Sequence, residues 1–184
     1  MYCEESTLND GPPRGLLIAA IGVSVSAVLA VLVIAWSQSR PPAQRSLVVP
    51  AVPAPQAASP ECAALLAPLP QQLGDYQRAQ PADPVPPATA AWRRGSDDQP
   101  ILLRCGVGAP ADFVQGVELR VIGGVQWFPV SEQDTGRTTW FVVDRPVYVA
   151  LTTPRGTDAT PVQQISEVVA AVLPAVPIRP GPAR

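Results

Sequence analysis

Three periodicities divide the chain. The first is an unbroken apolar run, "GLLIAAIGVSVSAVLAVLVIAW" at residues 15–36, with no charged residue between Arg14 and Arg40. About 20 helical residues at 1.5 Å each match the ~30 Å hydrocarbon core of a bilayer, and Trp36 closes the run where an indole favours the interface. The run is longer than a signal-peptide core and no Ala-x-Ala site follows it, so the expectation is an uncleaved transmembrane anchor. The second periodicity is the two-residue alternation of strands. It is clearest in "VELRVIGGVQWFPV", two apolar-rich runs around Gly123-Gly124. A Gly pair accepts the positive φ angles of a two-residue hairpin turn, which pairs Ile122 with Val125 and Arg120 with Trp127. Alternation then places Val117, Leu119, Val121, Phe128 and Val130 on the core face, leaving Glu118, Arg120, Ile122, Val125 and Trp127 on the other. The third is helical: Ile165, Val168, Val169 and Val172 recur at i, i+3, i+4, i+7 within "TPVQQISEVVAAVL". Thr160, Pro161 and Gln163 read there as N-cap, N1 and N3 of a capping box.

Weaker patterns fill the rest. "SPECAALLAPLPQQL" predicts a helix capped by Ser59, with Pro60 at N1 and Leu65, Leu69 and Leu73 as its stripe until Pro68 and Pro70 interrupt it. "RAQPADPVPPATA", residues 78–90, predicts a surface loop. "AAWRRGSDDQPILLRCGV" predicts two short strands around a Gly-Ser-Asp-Asp turn, and "RTTWFVV" and "PVYVALTT" two more, joined tightly through Asp144-Arg145-Pro146. The expected fold class is therefore α+β: a single N-terminal transmembrane helix, then a small antiparallel sheet with two helices on one face. The expected organisation is a cytoplasmic disordered tail at 1–14, the transmembrane anchor at 15–36 and a Pro/Ala-rich linker at 37–59. An extracytoplasmic α+β domain at 60–174 and a disordered tail at 175–184 follow. The linker composition tends to polyproline II and suits a stalk.

Composition narrows the chemistry. The 184 residues hold 24 Pro, no His and no Lys, so all 13 basic residues are Arg; the net charge is −2. Absent His and Lys remove imidazole-based nucleophilic schemes, the usual zinc sites and lysine catalysis. Without a basic patch nothing points to nucleic acid. Asp97 and Asp98, and Glu132 and Asp134, fit solvated turns better than a catalytic pair. Catalytic, cofactor-binding and metal residues are therefore expected to be none, and the cofactor none. Charge does not orient the anchor, since Arg14 lies on one side and Arg40 and Arg45 on the other.

Cys3 precedes the apolar run; Cys62 and Cys105 lie within the predicted domain. In an oxidising compartment Cys62 and Cys105 would pair as a disulfide, whereas in a cytosolic domain they would be two buried thiols. Binding candidates are Arg120 and Trp127 from the charged and aromatic face of the hairpin, with Arg145 as a further candidate.

The residues "PECAALLAPLP", a following Trp, "PILLRCGV", "VQW" after a Gly pair, "DRPVYVALTTP" and "ISEVVAAVLPAVP" together resemble the actinobacterial family called domain of unknown function 3515. The resemblance spans residues 60–174. It implies membrane-anchored or secreted proteins without assigned activity or catalytic residues, an extracytoplasmic domain and a Cys62–Cys105 pair. The reading is a single-pass cell-membrane protein with its C-terminal domain outside, a non-enzymatic envelope module for a protein or cell-wall partner. The alternatives are an assembly or stability factor contacting a membrane complex through the small residues Ser24, Ser26 and Ala27, or a carboxylate-dependent cell-wall hydrolase.

Overall fold

The computed structural model describes residues 22–23, 25–32, 47–95 and 99–183. Contacts divide the chain into two units, 1–44 and 45–184. In the first, residues 22–23 and 25–32 are helical and exposed, and the Ser26 hydroxyl donates to the Gly22 carbonyl at 2.8 Å. The remainder of the predicted anchor, Ser24 included, lies outside the described residues, as do the predicted tail at 1–14, Cys3 and the Asp97-Asp98 pair. Among the described residues no helix is long and apolar enough to cross a membrane.

The second unit is α+β. Its elements are α1 (Pro60–Leu66), β1 (Gln72–Leu73), β2 (Tyr76–Ala79), β3 (Thr89–Arg93), β4 (Ile101–Val107), β5 (Arg120–Ile122), β6 (Val125–Ser131), β7 (Thr138–Val142), β8 (Tyr148–Thr153) and α2 (Thr160–Val172). The strands form one sheet in the order β1-β2-β3-β4-β8-β7-β6-β5, with antiparallel pairing throughout. Both helices pack on the same face. Cys62 and Leu65 from α1, and Val162, Ile165 and Val169 from α2, share a core with Trp92, Ile101, Leu103, Cys105, Val125, Trp127, Val149 and Leu151.

The expected Cys62–Cys105 pair is present: the two form a disulfide across 43 residues of sequence, with Cα atoms 5.6 Å apart, and tie α1 to β4. The Ser59 hydroxyl caps α1 by accepting from the Cys62 amide at 3.2 Å, with Pro60 opening the helix. The capping box of α2 is absent. Ala159 occupies the cap position, and Asp158 Oδ1 accepts from the Thr160 amide at 3.0 Å instead. Leu73 does not extend α1. It sits in β1 of a β1–β2 hairpin turning at Gly74 (φ +53°), whose amide donates to Gln164 Oε1 of α2 at 2.9 Å.

The hairpin register holds as expected, Arg120 opposite Trp127 and Ile122 opposite Val125, with φ +58° and +74° at Gly123 and Gly124. The burial of its two faces is reversed. Val125 and Trp127 point into the main core, and Val121 is 71% exposed. Val117, Leu119, Phe128 and Val130 do cluster, but around Phe113 and Val143 in a smaller core on the opposite side of the sheet. Strand β6 is thus apolar toward both sides, and alternation alone cannot say which side carries the helices.

The second face of the sheet is covered by chain rather than by helices. Leu47 and Val49, from the predicted linker, pack on Ala79, Ala91 and Leu102, and the Leu47 carbonyl accepts from the Ala82 amide at 2.9 Å. The predicted tail is also docked: Val176 donates to the Asp144 carbonyl, and Gly181 exchanges hydrogen bonds with Phe113 and Gln115. A Pro-rich strand lacks donors for a ladder but keeps its carbonyls and apolar rings, so it can lie over a sheet as readily as extend from it.

Candidate functional site

Strand β7 lies between β8 and β6, yet Thr138, Thr139, Trp140 and Phe141 are all only half-buried. Its residues alternate between the two faces of the sheet, and each face of β7 meets an opening. On the helix face a groove of about 300 Å³ is bordered by Ile122, Thr138, Trp140, Arg155, Asp158 and Val162. On the other face a groove of about 360 Å³ lies between the two coverings: Val52 and Pro53 border it from the N-terminal segment, Gly108 and Pro110 from the β4–β5 connection.

The second groove is the unusual one. Arg104 sits in β4 between Thr89 of β3 and Ala150 of β8, and is only 9% exposed. Its Nη2 donates to the Pro50 carbonyl at 3.3 Å, while its Nε is buried without a partner. Arg137, at the end of the β6–β7 turn, also lines the groove and also keeps a buried Nε without a partner. Burial lowers the pKa of Arg104 from its ordinary value, and the positive charge of Arg137 lowers it further. An arginine remains protonated through such shifts, so what results is two like charges held in one groove.

Their usual compensation is missing. Among the described residues neither arginine makes an ion pair within 4.0 Å, whereas Arg120 pairs with Glu118 and Arg145 with Asp144. Glu132 lines the same groove, but its Oε2 accepts from the Thr135 hydroxyl at 2.9 Å. Thr139 and Thr152 face each other across β7 and β8, their hydroxyls 3.0 Å apart, and add a polar floor beside Phe141 and Ala150. The arrangement offers positive charge, N–H donors and hydroxyls on one side, and apolar surface on the other. Chemically it can hold and orient an anion. Among the described residues no three His, Cys, Asp or Glu are grouped to hold a metal ion.

The residues singled out from the sequence do not assemble into one face. Arg120 is exposed at the edge strand and pairs with Glu118 at 3.6 Å. Trp127 is fully buried, and its indole N–H donates to Ser166 Oγ of α2 at 2.8 Å. Arg145 is buried as well: it pairs with Asp144 at 2.8 Å and donates to the Asp144 and Gly124 carbonyls. Trp127 and Arg145 are therefore structural, because the side of the hairpin that carries Trp127 is the side that meets α2. The half-buried tryptophan is Trp140, which borders the helix-face groove that Arg155 also lines. Arg104 was legible as an anomaly, the one charge in the otherwise apolar run "ILLRCGV"; Arg137 carried no signal until the fold placed it opposite.

No curated protein and no solved structure matches the chain. A family model described as a protein of unknown function, DUF3515, matches residues 21–178, so the match takes in the described part of the apolar run, the sheet, both helices and the start of the docked tail. The chain belongs to the DUF3515 family.

Proposed function

We propose that this chain is a membrane-tethered, extracytoplasmic, non-enzymatic binding module of the cell envelope, and that it binds through the groove of Arg104 and Arg137. The compartment is supported by the disulfide, a bond that persists in oxidising surroundings, together with the apolar run at 15–36. The binding role rests on one observation: a buried Arg104 and a half-buried Arg137 share an open groove without a carboxylate partner. Like charges in a half-dry site oppose folding. Sites kept at a cost in stability are characteristic of function.

The test needs no ligand. Arg137→Gln in the full chain removes one of the two charges from a turn residue. If the pair is held for binding, the thermal midpoint rises, because repulsion is relieved and no native ion pair is lost. A fall in the midpoint would make Arg137 a structural residue and remove the reading. Compartment is tested separately: in intact cells a membrane-impermeant protease removes the domain while a tag before residue 15 survives. A domain protected until the cells are lysed overturns the topology.

A further inference from the structure

We propose that the Arg104–Arg137 groove takes a phosphate monoester, a dianion on an organic body, rather than a carboxylate. This rests on the groove being a binding site and adds the class of its ligand. Charge decides first. Two guanidinium groups without carboxylate partners present two positive charges to the groove. A carboxylate would neutralise one and leave the other, and the groove already has a carboxylate at its border in Glu132 that does not pair with either. A phosphate dianion matches both, and arginine forks suit its oxygens.

Donor count agrees. Arg104 Nη1 and the Nη groups of Arg137 make no hydrogen bond among the described residues, and unlike the two Nε atoms they are not sealed from the groove. The Thr139–Thr152 pair uses one hydroxyl hydrogen between its two oxygens and leaves the other free to donate. Three donor groups from three elements are more than two carboxylate oxygens need and fit three terminal phosphate oxygens. The apolar border formed by Val52, Phe141 and Ala150 suits the ester's organic body. At about 360 Å³ the groove exceeds the room an inorganic ion fills, so part of the ligand other than phosphate occupies it. The ester could be soluble or a lipid headgroup, and the chemistry of the groove is the same for both.

The experiment uses the full chain in detergent micelles, with calorimetric titration of inorganic phosphate, butyl phosphate, a short-chain phosphatidic acid and acetate. Butyl phosphate is expected to bind more tightly than inorganic phosphate, and acetate not at all. Arg137→Gln and Arg104→Gln should each weaken butyl phosphate by about tenfold or more, the loss of a charge-assisted hydrogen bond. Binding of phosphatidic acid without butyl phosphate identifies a lipid source, and binding of both a soluble or shared one; either supports the proposal. Acetate binding as tightly as phosphate, or butyl phosphate binding unchanged in Arg137→Gln, overturns it. If Arg104→Gln does not fold, Arg137→Gln alone decides. A variant with a raised thermal midpoint and no phosphate binding in the parent chain sinks this ligand class while leaving the binding reading in place.

Discussion

Arg104, Cys105 and Gly106 are consecutive and point to three different tasks. Arg104 faces the groove, Cys105 faces α1 and bonds to Cys62, and Gly106 (φ +78°) is where the chain before α1 comes closest. A Cβ at Gly106 would collide with the backbone of Gln56 and Ala57, and the Gln56 amide donates to the Gly106 carbonyl at 3.1 Å. The β4–β8 register shifts between Cys105 and Val107, so the glycine also carries a bulge. Trp127 and Arg145 belong to the same scale. Trp127→Ala should destabilise by about 3–5 kcal/mol, since it empties a fully buried indole site and takes from the buried Ser166 hydroxyl the bond it accepts, leaving only its donation to the Val162 carbonyl. Urea unfolding measures it, and a loss under 1 kcal/mol would return Trp127 to the surface. Arg145→Ala should cost a similar ~3–5 kcal/mol, because it leaves Asp144 as an uncompensated buried charge. Asp144→Asn with Arg145→Met in one chain should recover most of that loss, and failure to recover would mean the backbone bonds of Arg145 to Asp144 and Gly124 matter more than the charge.

Elements were legible where local chemistry decides them and obscure where packing does. Ser59 and Pro60 announce α1, and Gly123-Gly124 announces the hairpin with its register, because caps and turns act over a few residues. The β1–β2 hairpin was hidden, because Leu73 fits the four-residue stripe of Leu65 and Leu69 and the two strands are only two and four residues long. The sidedness of β6 was hidden for a different reason: Trp127 and Phe128 are adjacent and both buried, in separate cores. The docking of Leu47, Val49, Val176 and Gly181 was hidden for a third reason. Composition describes how a Pro-rich segment behaves alone and says nothing of a sheet face that needs cover. A chain beginning at Pro60, the boundary that composition suggests, would expose Leu102, Ala91 and Ala79. Compared with a chain beginning at Arg45, it should lose about 3–6 kcal/mol from the missing burial of Leu47 and Val49, less what the unfolded chain already buries. Equal urea midpoints for the two chains would show that residues 47–49 only rest on the sheet. The groove depends on the same segment, since Pro50 bonds Arg104 and Val52 and Pro53 form its border, so the shorter chain should also lose anion binding.

At the scale of the whole molecule, one strand pair joins two halves of a sheet that are each built locally. Most of the sheet is built from sequence neighbours: β1–β2, β2–β3, β3–β4, β5–β6, β6–β7 and β7–β8 pair in chain order, and the β4–β8 pair alone joins the two halves of the sheet. The Cys62–Cys105 bond sits at that seam, because Cys105 lies in β4 opposite Val149 of β8 while Cys62 is on the helix above it. Closing a 43-residue loop restricts the unfolded chain by about 4 kcal/mol in the chain-entropy account. Reduction should therefore lower unfolding stability by up to that amount. Both sulfurs lie in fully buried residues, so reduction should require opening of the α1 side of the core first. The expected kinetics follow from that geometry. With a small reductant, loss of the bond in the native chain should track the rate at which α1 opens and become independent of reductant concentration at high concentration. Hydrogen exchange of the Ala63 and Ala67 amides, which donate to the Ser59 and Ala63 carbonyls, reports that opening directly. A reduction rate that stays proportional to reductant, with those amides still protected, would mean the bond is reached without opening α1, and the disulfide would then be an accessible clasp rather than part of the core.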